Sequence, residues 1–237
     1  KAGGWIFGGY QGGASMTKKL ENLYFLFKID FKQAGSVFFF PTIMWLVSVL
    51  QLIMQNPQNE SDRLNSIILF QGIYLPFAGW GLMYRLKEIY EDGASETLFP
   101  YYRSYLIIDI SRYLSIHFIG TMIWCLFFSM KYSITIIWPI HMIHFFLITL
   151  LFMFLSTALI LIIKNIEFSL TVLFVYVVIE LATLGEYMPW PHVFIFRPAI
   201  MEDIQLIYKL ISICIYIVIL FFTTLFLIRK SPDHSIK

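Results

Sequence analysis

The sequence predicts an all-α membrane protein with six transmembrane helices. Of the 237 residues, 59% are hydrophobic and only 14% are charged, and the mean hydropathy is +0.74. Such values are typical of a chain whose solvent is lipid rather than water. The apolar residues also form unbroken runs of about 18 or more, enough for a helix to cross the bilayer. Strands of a membrane barrel would instead alternate over about ten residues.

Charge and cysteine content argue against other classes of protein. The formal net charge is only +2, and no basic cluster is interleaved with exposed aromatic residues, so no nucleic-acid partner is expected. The two cysteines, Cys125 and Cys214, both lie within apolar runs. A disulfide framework is therefore not expected either.

The N-terminal region divides into a leader and an amphipathic stretch. Residues 1–15, "KAGGWIFGGYQGGAS", lack the apolar core of a signal peptide, so we expect an expression remnant or a flexible glycine-rich extension. Residues 16–237 are predicted to form one six-span domain. Within "TKKLENLYFLFKIDFKQAG", apolar residues recur at helical spacing, which predicts a helix lying along the membrane interface. The alternative is an extension of the first span.

Six apolar runs are long enough to be spans. They are Ser36–Met54, Ser66–Tyr84, Tyr113–Met130, Ile134–Ile163, Phe168–Gly185 and Ile204–Ile228. The fourth is longer than one bilayer requires, so we expect it to tilt, to kink near Pro139 or to project beyond the membrane.

The distribution of Lys and Arg predicts the orientation. With six spans both termini share one side, and that side carries twelve of these residues, against three on the other side, namely Arg63, Lys131 and Arg197. Lys and Arg accumulate on the cytoplasmic side of membrane proteins. We therefore expect a multi-pass protein of the cell membrane with both termini in the cytoplasm.

A polar segment separates the second and third spans. Residues 85–112 are more than a helix–helix connection needs. "RLKEIYED" can continue the second helix until Gly93 interrupts it, and Ser95 can cap a new helix. Pro100 is expected to break or restart the chain. The prediction is a helical elbow in the cytosol, and the alternative is an ordinary solvated loop.

This elbow resembles one in the permease subunits of type-2 ABC exporters. That family has six spans, cytoplasmic termini, an N-terminal interfacial helix and a coupling helix between spans two and three. Its characteristic segment runs from acidic residues through Gly and a Thr/Glu/Leu group to Pro and then Arg. The matching residues here are Glu91, Asp92, Gly93, Glu96, Thr97, Leu98, Pro100 and Arg103. The sequence departs from the pattern by two residues between Gly93 and the Glu-Thr-Leu group and by a short helix before the proline.

The resemblance implies that ATP hydrolysis and the transport path lie on different polypeptides. Two separate ATPase subunits would bind ATP and Mg, two permeases would form the path, and a hydrophobic or amphipathic cargo such as a peptide or antibiotic would pass between them. Leu98 and Phe99 would dock on the ATPase, with acidic neighbours at the rim. This chain would not be an enzyme by itself and would hold no cofactor: none of its 13 glycines precedes a lysine, so the glycine-rich phosphate loop is absent.

The connection between the fifth and sixth spans is rich in proline and aromatic residues. In "GEYMPWPHVFIFRPAIMED" the prolines prevent one continuous helix, and the aromatic residues favour the membrane interface. The resemblance implies short re-entrant helices that close an outer gate. The alternative is an external loop anchored by its aromatic side chains.

Several polar residues near this outer end are candidates for the substrate path or gate. Glu180 lies about one turn inside the fifth span, where a carboxylate should face protein or water. It could contact a cationic substrate, pair with a basic group or be protonated. The other candidates are His141, His144, Glu186, Trp190 and His192.

Two rival functions remain open from the sequence. His141 and His144 share a helical face, so a metal-dependent membrane enzyme using them with Glu180 is one rival. No spacing signature supports a metal site, and histidines satisfied by packing are the favoured interpretation, so none is predicted. The second rival is a non-transport membrane protein, such as an immunity or assembly factor.

Overall fold

The protein is described by a computed structural model that covers residues 35–56, 58–90, 95–132, 139–185, 192–196 and 204–230. Every regular element in these residues is helical. The α-helices are α1 (Phe40–Met54), α2 (Glu60–Ile73), α3 (Trp80–Tyr90), α4 (Ser95–Tyr132), α5 (Pro139–Ile163), α6 (Ile166–Thr183) and α7 (Ile204–Lys230). Short 3-10 helices, Gly35–Phe39 and Leu75–Gly79, precede α1 and α3. Residues Lys1–Phe38 form a unit of their own, and the packing described below lies within Phe39–Lys237.

Among the residues that the structure describes, six helical segments are long and apolar enough to cross a membrane, in agreement with the predicted six. They are Gly35–Met54, Ser61–Tyr90, Leu98–Tyr132, Ile140–Ile163, Ile166–Thr183 and Leu206–Lys230. The second and third are longer than predicted because their helices continue into the polar segment. The predicted leader and interfacial helix lie outside the described residues.

The second and fourth spans form the centre of the bundle. Their most apolar stretches are 67% and 61% buried, against 17% for the first and last spans. The outer helices carry rows of exposed large apolar side chains, for example Ile43 and Leu46 on α1 and Phe222 and Phe226 on α7. A surface of this kind faces lipid, because hydrocarbon solvates apolar side chains and cannot solvate backbone polar groups.

Two hydrophobic clusters fill the bundle. One contains Phe70 of α2 stacked on Trp124 of α4 with ring centroids 4.0 Å apart. The other surrounds the α3–α4 pair and includes Leu86 and Tyr102. Between α2 and α3 the 3-10 turn brings Gly79 against α5, where a Cβ atom would lie 2.3 Å from Cβ of Ser156. Pro76 at the start of this turn explains why α2 does not continue directly into α3.

The predicted break at Pro100 is wrong. Helix α4 runs without interruption from Ser95 to Tyr132, with Pro100 in its second turn. The proline removes one backbone hydrogen bond near the helix end, whereas the buried side chains of Tyr102 and Leu106 hold the following turns against the second cluster. The segment Ser95–Phe99 is therefore the first part of α4 rather than a separate helix.

Candidate functional site

The segment 192–196 forms no regular secondary structure, yet its centre is buried inside the bundle. Val193 and Phe194 are 0% exposed and Ile195 is 6% exposed. Each buried main-chain N–H and C=O group requires a hydrogen-bond partner, because an unpaired one costs free energy in an apolar interior. Side chains from the surrounding helices provide these partners.

Two side chains accept hydrogen bonds from the N–H groups of the segment. Oε1 of Glu180, on α6, accepts from the N–H groups of Val193 at 2.6 Å and Phe194 at 2.8 Å. Oε1 of Gln71, on α2, accepts from N–H of Ile195 at 2.9 Å. Glu180 and Gln71 are themselves fully buried.

The carbonyl groups of the same segment are satisfied by three donors. Nε2 of His144, on α5, lies 2.8 Å from the carbonyl oxygen of Val193, so His144 carries its proton on Nε2. Nζ of Lys209, on α7, donates to the carbonyl oxygen of Phe194. Nε2 of Gln71 donates to the carbonyl oxygen of Ile195 at 3.3 Å.

We call these four side chains the segment clamp: Gln71, His144, Glu180 and Lys209. Each comes from a different helix, and together they satisfy all main-chain polar groups from Val193 to Ile195. The hydroxyl of Tyr176, one turn before Glu180 on α6, also hydrogen-bonds to the carboxylate. The arrangement holds a piece of irregular backbone at a fixed position between the helices.

The end of α6 turns the chain toward the clamp. Leu184 and Gly185 both have left-handed backbone angles, with φ of 49° and 78°, and N–H of Gly185 bonds to the carbonyl oxygen of Glu180 at 3.0 Å. A Cβ atom at Gly185 would lie 3.0 Å from Nδ1 of His192. Glycine therefore suits this position both in conformation and in space.

The predicted residues of the substrate path have separate places. Glu180 and His144 belong to the clamp, and the half-buried His192 lies beside Gly185. His141, one turn before His144, is buried at 4% exposure and contacts the ring of Phe145. Glu186 and Trp190 lie outside the described residues.

The geometry gives no support to a metal centre. In the part of the chain that the structure describes, no group of three or more His, Cys, Asp or Glu residues is placed to hold a metal ion. Nε2 of His144 and Oε1 of Glu180 are occupied by main-chain groups instead. Cys125 and Cys214 are free thiols, as expected.

A second polar network lies at the other end of the bundle, between α3 and α4. Oδ1 of Asp109 is 3.0 Å from NH1 of Arg85 and 3.6 Å from NH2 of Arg112. Asp109 is 1% exposed. NH2 of Arg85 also donates to the hydroxyl of Tyr101 at 3.3 Å. We call Arg85, Asp109 and Arg112 the arginine–aspartate cluster; each charge has an opposite charge beside it, as burial requires.

The polar segment between the second and third spans is a packed helical hairpin in its described part. Leu86 and Ile89 of α3 and Leu106 of α4 are buried in its core. Leu98 and Phe99 are half-buried against this core, and the ring of Phe99 meets that of Tyr90 edge to face with centroids 6.0 Å apart.

The remaining coupling candidates divide between exposed and undescribed positions. Pro100 and Arg103 are exposed on α4. Glu91, Asp92 and Gly93 lie outside the described residues, and only the helical backbone is described at Glu96 and Thr97. Arg85 and Arg112 belong to the twelve Lys and Arg residues of the predicted cytoplasmic side, and Asp109 was not among the candidates predicted from the sequence. A lone carboxylate in the apolar run "YLIIDISRY", three residues before an arginine, was the available signal.

Comparison with known proteins gives no relative: no family model, no curated protein and no solved structure matches the chain. Its function is therefore argued from the geometry and chemistry of its own residues.

Proposed function

We propose that this chain is the membrane-spanning permease subunit of an ATP-driven exporter of the type-2 ABC class. It would work as a pair of permeases with two separate ATPase subunits and carry a hydrophobic or amphipathic cargo. The observation that carries the proposal is the packed hairpin of α3 and α4, whose two helices are joined in the sequence by the acidic, glycine-containing residues 91–94.

The length of α4 suits a helix that receives force outside the membrane. Its 38 residues extend about 57 Å at 1.5 Å per residue, whereas the hydrocarbon core is about 30 Å thick. Roughly half of the helix must therefore tilt strongly or project beyond the hydrocarbon. Helix α4 is continuous, and its polar end is packed on α3. A force applied at Ser95 would therefore move α3 and α4 together as a rigid body relative to the rest of the bundle.

The arginine–aspartate cluster would make this hairpin stiff. Asp109 ties Arg85 on α3 to α4, and Arg85 packs over the ring of Tyr101 at 5.5 Å from its centroid. An ordinary solvated loop has no need of a buried ion pair, whereas an arm that transmits force requires its two helices to move together.

The segment clamp would serve as the outer gate. Ile166, at the start of α6, packs in the cluster around α3 and α4, and Glu180 lies 14 residues further along the same helix, about 21 Å away. The clamp and the hairpin are thus at opposite ends of the bundle. Release of the irregular segment 192–196 from its polar partners would open a path at the end where cargo leaves.

Purification with partners tests the proposal. The tagged chain, isolated in mild detergent from membranes of the cells that naturally make it, should bring down a subunit that carries a glycine-rich phosphate loop and hydrolyses ATP. Replacing the loop lysine of that subunit should abolish hydrolysis and leave co-purification unchanged. Recovery of the chain alone, or only with partners that do not hydrolyse ATP, would overturn the exporter proposal and favour an assembly or immunity factor.

A further inference from the structure

A groove of about 460 Å³ lies on the side of the bundle. Its walls come from α1, from α6 and from the junction of α2, the second 3-10 turn and α3. The lining is apolar apart from Thr171, whose hydroxyl donates to the carbonyl oxygen of Glu167 at 2.8 Å. Among the described residues, the lining contains no charged side chain, and its one hydroxyl group is already hydrogen-bonded.

The surroundings of the groove determine what can enter it. The first and fifth spans, which form two of its walls, are only 17% and 28% buried in their most apolar stretches. Phe174 and Val178 on α6 are exposed both to the groove and to the outside. Water gains no hydrogen bonds in an apolar groove of this kind. In a membrane, the hydrocarbon chains of the lipids are the medium next to the groove, so they are the groups that can fill it.

The length of the groove matches one leaflet of a bilayer. Along α6 the lining runs from Leu170 to Leu181, eleven residues or about 16 Å at 1.5 Å per residue. The hydrocarbon core is about 30 Å thick, so this is close to the reach of the chains of a single leaflet. Phe40, stacked on Trp80 at 4.4 Å between ring centroids, forms a flat wall toward one end.

The rim of the groove is unsuited to a helix of a second copy. Helices that associate in membranes use small residues at the contact so that their backbones approach closely. Here the rim side chains are large, including Phe40, Met44 and Phe174. The glycine of the lining, Gly72, faces Leu181 instead, whose Cδ1 would lie 2.4 Å from a Cβ atom at that position.

We infer that this groove binds one acyl chain of a membrane phospholipid. The chain lies along α6 between α1 and the α2–α3 junction, and it is recognised by length and apolar shape rather than by its headgroup. The inference does not depend on the proposed transport function.

Photo-crosslinking in vesicles tests this site directly. The protein is reconstituted in phosphatidylcholine whose palmitoyl chain carries a diazirine, and the labelled peptides are mapped. A matched pair of variants separates groove from general lipid contact: Val178→Trp fills the groove, whereas Val175→Trp stands on the same helix at similar exposure, 47% against 43%, outside the lining. We expect labelling of lining residues to fall about five-fold or more in Val178→Trp, because tryptophan occupies the space, and to stay at the parental level in Val175→Trp.

Three outcomes would overturn the inference. Uniform labelling of all outward faces in the three proteins would mean general lipid contact only. The groove would be assigned to a second copy by two results together. The lipid probe would not label the groove of the parental protein, and a dimer captured by a protein–protein crosslinker would be lost in Val178→Trp. Equal thermal stabilisation of delipidated protein by hexanoyl and palmitoyl phosphatidylcholine would exclude recognition by chain length. Met44→Trp, which fills the groove from α1, should reproduce Val178→Trp if both variants remain folded.

Discussion

At the scale of single residues, buried polar side chains either form hydrogen bonds to main-chain groups or form ion pairs with charged side chains. Glu180 was predicted to avoid lipid, and it is indeed buried in protein, where it accepts from two main-chain N–H groups. Asp109 has a comparable role between two arginines. Both carboxylates are buried acceptors, so their replacement weakens specific hydrogen bonds and ion pairs.

The first prediction concerns Glu180. Glu180→Gln keeps the shape and an acceptor oxygen but removes the charge that strengthens both hydrogen bonds. Hydrogen bonds to charged groups contribute about 1.5–3 kcal/mol, so apparent thermal stability in detergent should fall measurably. Glu167→Gln, an exposed carboxylate at the start of the same helix, should change it by less than about 0.5 kcal/mol. Under the exporter proposal, Glu180→Gln should also lower export without loss of assembly. Equal stability of the two variants would contradict the clamp as a source of stability.

The second prediction concerns Asp109. Asp109→Asn removes the carboxylate charge beside the half-buried Arg85 and the buried Arg112, and breaking a buried pair costs about 3–5 kcal/mol. Arg112→Gln should cost less than Arg85→Gln, since its distance to Asp109 is 3.6 Å rather than 3.0 Å. Thermal unfolding of the three purified variants gives the order. If Arg112→Gln lowered the unfolding temperature more than Arg85→Gln, the shorter ion pair between Arg85 and Asp109 would not be the stronger one.

At the scale of elements, apolar run length was sufficient for the number of spans but not for their ends. The second helix was predicted to continue beyond the apolar run that ends at Tyr84, and α3 does continue to Tyr90, with Leu86 and Ile89 buried against α4. The predicted break at Pro100 does not occur, because the packing around Tyr102 outweighs the loss of one backbone hydrogen bond. The clamp could not be predicted, because Gln71 and Ile195 are 124 residues apart and nothing in the sequence pairs them.

The third prediction tests the close contact between the second 3-10 turn and α5. In Gly79→Ala the new methyl group would lie 2.3 Å from Cβ of Ser156 and 3.1 Å from the carbonyl oxygen of Phe152. Overpacking of this kind costs about 1–3 kcal/mol, so apparent thermal stability should fall. Adding Ser156→Gly removes the obstructing atoms and should restore part of the loss. No recovery in the double variant would place the strain elsewhere.

The fourth prediction tests the start of α4 as the site of ATPase attachment. Leu98 and Leu114 lie on the same helix, and both are half-buried against the same core, but only Leu98 is close to the start of α4. Leu98→Ala, alone or with Phe99→Ala, should reduce ATPase co-purification, because interface anchors are worth roughly 2 kcal/mol or more. Leu114→Ala should lower thermal stability to a similar degree and leave co-purification unchanged. Glu96→Lys should have a smaller effect that depends on salt. Equal retention of the ATPase by the Leu98 and Leu114 variants would exclude this attachment site.

At the scale of the whole molecule, the structure gives some of the Lys and Arg residues that were used to predict the orientation a second, structural role. Arg85 and Arg112 form ion pairs with Asp109, so the count of other cytoplasmic Lys and Arg residues falls from twelve to ten. Lys131 donates to the carbonyl oxygens of Leu52 and Gln55, both at 2.6 Å, and so caps the end of α1. The opposite count therefore falls from three to two. The bias remains, at ten residues against two.

The final prediction tests this orientation in intact cells. With Cys125 and Cys214 replaced by alanine, a single cysteine is introduced at Gln58, between α1 and α2, or at Ser104, on the exposed face of α4. Both positions are exposed, so a difference in labelling reports the side of the membrane rather than burial. A membrane-impermeant maleimide added outside should label the Gln58→Cys protein at once and the Ser104→Cys protein only after the cells are opened, because Lys and Arg accumulate on the cytoplasmic side. Labelling of Ser104→Cys in intact cells would reverse the orientation, and with it the assignment of the hairpin to the ATPase side and of the clamp to the exit.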